Sequence, residues 1–492
     1  MPMRQVAISA ALAGVFLAAI DQTVVLTAIP EMLQDVRVGL TQLDQASWIV
    51  TGYLLGYVSV LPLMGRLSDV YGRRSVFVAA LAVFAAGSCA CALATSLWWL
   101  VAARVCQAIG GGALLPVTFA FLADRVPAPK LPFWLGAAGA AAEAGGVLGP
   151  LYGAAIVEHL GWRWIFWINL PLALLIGMAF ARSTVSPFAL GVTTRRAVDY
   201  AGAALFALAL AALTVGLSGS SDPTRSASPI ELRRAIPLTA IALLALAAFI
   251  WRERRAVEPL LPLSLFRVRA FWAANAANAL VGVALIAAMV DVPLFAATVL
   301  GRAPIDAGLA LLRLTVCIPI GALAGGWLAG RLRWDIVALA GLLLAAAGFF
   351  LMHGWTLDVS DAGMTPGLVV AGLGFGLVIA PITSAVLSGA GAADRALSTA
   401  LVTALRMTGM TVGLAALTSV AFFRFNQLVR GLALPLPSAG QSAAEAAQRL
   451  AAYEAGITRA GLEVFTEVFL IAGAVCLAAG AFALLLGRGR MG

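Results

Sequence analysis

The sequence predicts an all-α membrane protein with fourteen transmembrane helices. Of its 492 residues, 62% are apolar and 11% are charged, whereas soluble domains carry about 25% charged residues. The mean hydropathy is +0.98. Apolar segments long enough to cross a hydrocarbon core of about 30 Å recur along the whole chain. They lie at 6–30, 44–64, 75–95, 98–123, 132–157, 163–183, 199–217, 235–251, 270–297, 305–330, 334–354, 366–390, 396–424 and 462–487.

An even number of spans places both termini on the same side of the membrane. Lys and Arg residues are more frequent in the connecting segments on the N-terminal side, which predicts that both termini are cytoplasmic. The first apolar run continues past Asp21 to Ile29 without a convincing small-residue cleavage site. We therefore expect it to be retained as the first span rather than removed as a signal peptide.

The composition argues against several classes of function. Lys130 is the single lysine, so the chain contains no phosphate-binding G-x-x-x-x-G-K-[ST] loop, which argues against ATP hydrolysis. The net charge of +9 comes from arginines at helix ends rather than from one basic stripe, so we expect no nucleic-acid partner. His159 and His353 lie far apart, and all five cysteines fall in apolar segments. We therefore predict no metal site, no cofactor and no enzyme active site.

The ten residues 65–74, GRLSDVYGRR, form a short charged loop between two apolar segments. A loop this short and this rich in arginine is typical of the cytoplasmic side of a membrane protein. Its glycines allow the backbone to turn and to approach a neighbour closely. Its aspartate can accept hydrogen bonds from the N-terminus of a nearby helix, and its last two arginines can pair with carboxylates or lipid phosphates. The residues to which we assign these roles are Gly65, Gly72, Asp69, Arg73 and Arg74.

A weaker copy of this loop occurs at 325–333, GGWLAGRLR, with Gly330 in place of the acid. Such a repeat predicts two six-helix halves. Counting six spans from each end leaves 199–217 and 235–251 as an inserted pair. The predicted domains are an N-terminal bundle at 1–183, a linker with the inserted pair at 184–269, and a C-terminal bundle at 270–492 with a long outer loop at 425–461.

The outer end of the C-terminal half is predicted to rise above the membrane. The span at 396–424 would be about 43 Å long at 1.5 Å per residue, which exceeds the core even with a tilt of about 20°. The stretch 442–456 favours a helix with some amphipathic character. An apolar path out of the bilayer and an ordinary tilted helix with a surface loop both fit this pattern.

Four ionisable residues fall well inside predicted spans, where a charge is costly and usually functional. Asp21 lies about 15 residues into the first span, and Glu143 lies in the fifth span among small residues that allow another helix or a lipid tail to approach. Arg104 and Arg406 cannot lose their protons, so each needs a carboxylate, backbone carbonyls or water. We predict that Arg406 pairs with one acid across the two halves, with Arg104 as a second candidate, and that protonation of the acid breaks the pair. A permanently paired structural acid is the alternative for Asp21.

The fifth span is interrupted by Gly149 and Pro150. Proline removes a backbone donor and bends the helix, and glycine admits a close neighbour. The same stretch contains Gly145 and Gly153. A packing kink and a gating element are both compatible with these residues.

Several local patterns resemble the fourteen-span drug:proton antiporter family of the major facilitator superfamily, and the likeness covers essentially the whole chain. These patterns are the loop at 65–74, AIDQTVVLTAIP at 19–30, RVCQAIGG at 104–111, GGVLGPLYG at 145–153 and WRWIFWINLP at 162–171. Within that family the sequence is most similar to mycobacterial exporters of drugs and triacylglycerides. This finer likeness is carried by VLGPLYG at 147–153, AGLGFGLVIAP at 371–381, RMTGM at 406–410 and RFNQ at 424–427.

The resemblance implies a major facilitator fold, in which two six-helix bundles are joined through two inserted linker helices. It implies transport by alternating access, driven by a proton gradient, in the cytoplasmic (inner) membrane of a bacterium. It also implies that the Gly-Pro kink limits ion leakage when the pump is empty, and that a periplasmic lipid-binding lipoprotein is a partner. The segment 354–366 looks shorter than in those relatives, which argues against a docking structure at that site. We expect the transporter to be a monomer.

We therefore interpret the chain as a proton-coupled exporter of large hydrophobic molecules, either drugs or envelope lipids such as triacylglycerides. Few charges line the predicted spans, which suits an apolar cargo. A nutrient or metabolite symporter of the same fold is the main alternative, and the Gly-Pro motif argues against it. A membrane receptor without transport is a more remote alternative, because it leaves Asp21, Glu143 and Arg406 without a role.

Overall fold

The computed structural model describes residues 2–35, 48–183, 199–217, 232–256, 263–391, 394–432 and 442–487. These residues form sixteen α-helices and two short 3₁₀ segments, with no β-strand among them. The helices are α1 Pro2–Asp35, α2 Trp48–Tyr71, α3 Arg73–Ala92, α4 Leu97–Arg125, α5 Leu131–Leu160, α6 Arg163–Ser183, α7 Tyr200–Leu217, α8 Leu232–Glu253, α9 Arg269–Thr298, α10 Pro304–Thr315, α11 Cys317–Ala329, α12 Trp334–His353, α13 Asp361–Leu377, α14 Ile379–Gly389, α15 Arg395–Val429 and α16 Ala443–Ala483. The 3₁₀ segments are Ala128–Lys130 and Leu263–Arg267.

Within the described residues, each of the fourteen predicted spans is mainly helical. In the described part of the chain, thirteen segments are long and apolar enough to cross a membrane, and α7 adds a shorter apolar helix, Tyr200–Leu213. Two of the predicted spans each consist of two helices in sequence, because α10 and α11 join at Val316 and α13 and α14 join at Val378.

Local sequence signals explain where several helices begin. Ser96 accepts a hydrogen bond from the amide of Trp99 (3.4 Å) at the start of α4. Ser360 does the same for Gly363 (3.2 Å) at the start of α13, and side chains of this type satisfy amides that have no partner inside the helix. Gly72 alone separates α2 from α3, and its positive φ of 89° is a conformation that glycine adopts without strain.

The helices form two six-helix bundles that meet along two seams. In the N-terminal bundle, α1 packs on α5 and α6, and α4 packs on α2 and α3. In the C-terminal bundle, α9 packs on α15 and α16, and α12 packs on α13 and α16. The two bundles contact each other mainly where α2 meets α15 and where α5 meets α11.

The inserted helices α7 and α8 pack on each other, and α7 also packs on both α2 and α15. Leu210 of α7 contacts a buried cluster that includes Tyr57 of α2 and Ala404 of α15. Tyr200 at the start of α7 lies close to Tyr71 at the end of α2. The inserted pair therefore covers one of the two seams between the bundles.

The outer segment at 425–461, predicted as a long loop, is helical over most of its length. Helix α15 continues to Val429, and α16 runs without a break for 41 residues from Ala443. A capping box, in which the side chain of Ser442 and that of Glu445 each accept a hydrogen bond from the other residue's amide, starts α16 early. The alanine-rich stretch that follows contains no proline, and the helix at 442–456 merges with the last span. Residues 433–441 of this segment lie outside the described residues.

Helices α15 and α16 are much longer than a membrane is thick. Their 35 and 41 residues correspond to roughly 52 and 61 Å, against a hydrocarbon core of about 30 Å. Arg424 of α15 pairs with Glu463 (3.0 Å) and Glu467 (3.0 Å) of α16, which holds the two helices side by side.

Candidate functional site

A cavity of about 120 Å³ lies between the two bundles. Its wall is mostly apolar, and an acid and an arginine on opposite bundles provide the charges. Its lining residues include Val15, Ala18, Ala19, Gln22, Thr23, Tyr57, Leu115, Glu143, Leu285, Met289, Thr403, Arg406, Met407 and Met410.

Glu143 of α5 and Arg406 of α15 form an ion pair across this cavity. Their side-chain atoms Oε1 and Nη1 are 3.0 Å apart. The side chains are 19% and 17% exposed, so both are mostly buried but neither is sealed. The surrounding residues of α5 are small, from Ala140 to Gly145, which allows α15 to approach the acid closely. The pair therefore joins the two bundles at the cavity.

Asp21 and Arg104 form a second ion pair, but it lies within the N-terminal bundle. Arg104 Nη1 donates to Asp21 Oδ2 at 2.7 Å, and both side chains are almost fully buried. Gln107 and Asn169 donate to the other carboxylate oxygen, each at 2.8 Å. The Arg104 guanidinium also stacks on the ring of Tyr53, 4.0 Å from its centroid. Asp21 is therefore enclosed by partners and does not line the cavity.

The segment 65–74, predicted as a loop, is helical except at Gly72, because its first seven residues form the end of α2. This end of α2 contacts the start of α15. Asp69 accepts hydrogen bonds from the amides of Ala396 (3.3 Å) and Leu397 (3.2 Å), and it also pairs with Arg73. Two amides at a helix N-terminus are a favourable place for a carboxylate. A side chain at Gly65 would collide with this helix, because an added Cβ would lie 2.8 Å from the Ala396 carbonyl oxygen.

Further ion pairs reinforce the same seam. Arg66 pairs with Asp394 of the C-terminal bundle at 3.1 Å. Asp124 of α4 pairs with Arg73 (3.1 Å) and with Arg395 at the start of α15 (2.8 Å). Arg74, which sequence reasoning grouped with these residues, is exposed. The ends of α2, α4 and α15 on this side of the protein are thus held together by charge.

The second copy of the loop forms no such cap at the other seam. Gly326 packs so tightly on α5 that an added Cβ would lie 2.8 Å from the Pro132 carbonyl oxygen. Gly330 has no side chain that can act as Asp69 does, and Pro132 has no amide hydrogen to donate. Within the described residues no ion pair links α11 to α5, so close backbone packing holds this seam.

The glycines at 145–153, where the sequence predicts a kink, pack α5 directly on α1. An added Cβ would lie 2.7 Å from Ala19 at Gly145, 2.0 Å from Thr23 Oγ1 at Gly149, and 2.5 Å from Thr27 Oγ1 at Gly153. Pro150 lies inside α5 between the last two of these contacts. The hydroxyl of Thr23 also donates to the carbonyl of Gly146 at 3.0 Å. The helix that carries Glu143 is therefore fixed to the helix that carries Asp21.

Sequence reasoning missed several residues of these clusters. Gln107 and Asn169 complete the Asp21 network, and Arg66, Asp124 and Asp394 complete the charged seam. The amide side chains of Gln107 and Asn169 inside apolar spans were the available signal, because a buried polar group needs a partner. Arg66, Asp124 and Asp394 gave a weaker signal, because they lie near helix ends, where charged residues are common in membrane proteins.

The sequence profile of the Major Facilitator Superfamily matches residues 11–414. The chain belongs to this superfamily. The expected family resemblance is thereby confirmed, and the chain is a transporter by membership.

Among curated proteins, the chain is similar to mycobacterial transporters. It is 40% identical over 494 residues to a triacylglyceride transporter of Mycolicibacterium smegmatis, covering 98% of this chain and 87% of that protein. It is 42% identical over 460 residues to one of Mycobacteroides abscessus, covering 91% and 88%. It is 38% identical over 498 residues to one of Mycobacterium tuberculosis, covering 98% and 94%.

Solved structures confirm the fold. The human organic anion transporter MFSD10 superposes with a TM-score of 0.61 at 17% identity, covering 96% of this chain and 99% of that one. The transporter FucP in its outward conformation superposes with a TM-score of 0.59 at 14% identity, covering 98% and 99%. At these identities the likeness concerns the fold alone.

We expect Asp21→Asn to destabilise the protein rather than to leave its fold intact. The substitution leaves the Arg104 charge buried without a counterion, which costs about 3–5 kcal/mol. Thermal unfolding in mild detergent measures the loss. Adding Arg104→Gln to the same protein should recover part of it, because the uncompensated charge is then removed. Equal unfolding temperatures for the wild type and Asp21→Asn would contradict this assignment.

We expect Gly149→Ala to separate α1 from α5. The added Cβ would lie 2.0 Å from Thr23 Oγ1, and overpacking of this kind costs about 1–3 kcal/mol. Gly146→Ala is the matched control, because an added Cβ at Gly146 meets no atom within 4 Å. Unfolding temperature and passive proton leak into liposomes should change for Gly149→Ala only. The same shift in both variants would show that helix propensity, not the α1 contact, is being measured.

Proposed function

We propose that this transporter is a proton-coupled antiporter that exports large hydrophobic molecules, drugs or envelope lipids such as triacylglycerides. The observation that carries the proposal is the Glu143–Arg406 ion pair, which joins the two bundles across an apolar cavity. A proton on Glu143 would break this contact between the two bundles. The hydroxyls of Thr23 and Thr403, which also line the cavity, donate to backbone carbonyls rather than to a cargo.

Protonation of the Glu143 carboxylate would neutralise it and remove the charge partner of Arg406. The bundles would then lose a bond that joins them, and the cavity could open to the other side. When the proton leaves, the carboxylate pairs with Arg406 again at the geometry seen here. A proton and a cargo molecule would therefore occupy the cavity alternately. Alternate occupancy moves them across the membrane in opposite directions, as an antiporter does, whereas a symporter moves them in the same direction.

Asp21 and Arg104 would support this coupling without binding the transported proton themselves. Their network ties α1, α4 and α6 together, and α1 in turn holds α5 through the glycine contacts. In this proposal the N-terminal bundle moves as one body, so a change at Glu143 acts on the whole seam.

The walls of the cavity support a hydrophobic cargo. Met289, Met407 and Met410 line it, and methionine side chains adapt to irregular apolar shapes. Sugars or organic anions need several fixed hydrogen-bond donors or a permanent free charge. The names of the curated relatives agree with a lipid cargo, although those names describe the relatives.

The long helices α15 and α16 would guide a lipid away from the membrane. Phe423 on α15 is 66% exposed and Leu450 on α16 is 48% exposed, so apolar side chains continue beyond the length that a bilayer covers. A lipid leaving along them would avoid the cost of about 0.8 kcal/mol for each methylene exposed to water. A periplasmic lipid-binding lipoprotein would receive it there. We propose this arrangement for a monomer in a bacterial cytoplasmic membrane with both termini inside.

We expect Glu143→Gln to reduce uncoupler-sensitive efflux of a hydrophobic dye by about tenfold or more, because glutamine cannot carry the proton. Glu158→Gln is the matched control, since it makes the same change at an exposed position on the same helix. Efflux is measured in cells with and without a proton uncoupler, at equal protein levels. Normal, uncoupler-sensitive efflux by Glu143→Gln would exclude this carboxyl as the coupling site.

We expect removal of residues 427–456, closed by a short Gly/Ser linker, to impair lipid transfer but to spare dye efflux. The deletion keeps Ala460 and Gly461, which pack on the bundle. Lipid transfer is measured from proteoliposomes to acceptor vesicles, and dye efflux in the same preparation shows that the bundles remain active. Unchanged lipid transfer by the truncated protein would mean that the extension is an ordinary surface feature.

A further inference from the structure

A groove of about 420 Å³ runs between the two inserted helices. The proposed transport path makes no use of it. Small and aliphatic side chains form its walls, and a tryptophan and an arginine lie at one end. The lining residues are Ala201, Ala204, Leu205 and Leu208 of α7 with Ala248, Trp251 and Arg252 of α8.

Arg252 is held so that its amino groups remain available. Its Nε atom donates to both carboxylate oxygens of Asp199, at 2.9 and 2.8 Å. Its two Nη groups have no hydrogen-bond acceptor among the described residues, and the side chain is 44% exposed. A guanidinium fixed through one nitrogen, with two donors directed elsewhere, is suited to bind an anionic oxygen pair.

Two more arginines place positive charge at the same end. Arg255 stacks on the ring of Trp251, 4.4 Å from its centroid, and Arg254 follows directly on Arg252 and Glu253 in the chain. Both arginines are exposed, and neither forms an ion pair with a described residue. An anion at this end of the groove would therefore meet several guanidinium groups.

Exposed aromatic side chains locate this end at the membrane surface. Trp251 and Tyr200 are each 58% exposed and Tyr71 is 60% exposed. Tryptophan and tyrosine are enriched where the bilayer meets water. From Ala201 to Leu208 the groove extends about 10 Å along α7 into the hydrocarbon region. Its polar end thus lies at headgroup level and its apolar part at acyl-chain level.

We propose that this groove binds an anionic phospholipid, with the phosphate on Arg252 and Arg255 and an acyl chain along α7 and α8. Charge complementarity selects the anionic headgroup, and the apolar walls require an attached chain. Helix α7 also packs on α2 and α15. The bound lipid would therefore set how deeply α7 and α8 lie in the membrane next to the seam between α2 and α15. This site is independent of the proposed proton coupling.

The test measures retention of phosphatidylglycerol and phosphatidylcholine of equal chain length by native mass spectrometry of the purified protein. We expect the wild type to prefer phosphatidylglycerol, and Arg255→Gln to lower its affinity about fivefold, which corresponds to about 1 kcal/mol per arginine near an anionic headgroup. Arg269→Gln is the matched control, because Arg269 is exposed at the start of α9 and, unlike Arg255, does not stack on a residue that lines the groove. Equal loss in both variants would overturn the proposal in favour of diffuse attraction to basic residues.

A second variant tests the apolar part of the site without changing its charge. Ala204→Trp should fill the groove and lower phosphatidylglycerol retention by a similar factor, while the fold is preserved because Ala204 faces outward and is exposed. Inorganic phosphate in excess should not displace the lipid, since it has no chain to occupy the groove. Full retention of the lipid by Ala204→Trp, or displacement by phosphate alone, would rule the groove out as the binding site.

Discussion

The ion pair between Glu143 and Arg406 is the interaction on which the central architecture depends. Two opposite charges can stay in a largely apolar interior only while they remain paired or hydrogen-bonded. The halves of the protein meet at this pair, with its two atoms 3.0 Å apart. Small residues on α5 and the close contact of α5 with α1 set that distance. Any change in the charge of Glu143 is therefore felt by both bundles.

The two buried ion pairs occupy different environments, and this difference separates their roles. Asp21 and Arg104 lie on one bundle and are closed off by Gln107, Asn169 and Tyr53. A pair of this kind stabilises one arrangement of helices. The pair across the cavity is partly exposed and belongs to two bundles, so it can open when the bundles separate. Sequence alone assigned the two acids similar weight, because depth in a span does not reveal which partners surround a side chain.

The seams between the bundles are also unequal. Asp69 caps the start of α15, and arginine–carboxylate pairs surround that contact, whereas Gly330 and Pro132 leave the other seam without an equivalent cap. The inserted helix α7 covers the charged seam as well. The seam between α2 and α15 is therefore held by ion pairs and covered by α7, whereas the seam between α5 and α11 depends on close packing at glycine.

The helical spans, the charged contact segment at 65–74 and the close-packing glycines of α5 could be predicted from the sequence because each leaves a local pattern, although residues 65–74 form helix ends around Gly72 rather than a loop. Hydropathy gives the length of a transmembrane span, and the spacing of glycines along a helix marks where a neighbouring helix can approach its backbone closely. The sequence predicts a helix at 442–456 and a span at 462–487, but not that they form one continuous helix from Ala443 to Ala483, because Gly456 and Gly461 between them disfavour a helix. The backbone amides that donate to Asp69 lie more than three hundred residues away in the chain. Nothing in the sequence around Asp69 specifies them.

Proton release on cargo binding tests the central claim most directly. A hydrophobic dye is added to the purified protein in weakly buffered detergent, and the pH is followed with an indicator. If proton and cargo bind in turn at this pair, the wild type should release about one proton per protein when the dye binds. Glu143→Gln should release none while still binding the dye. Equal proton release by the wild type and Glu143→Gln would contradict the account.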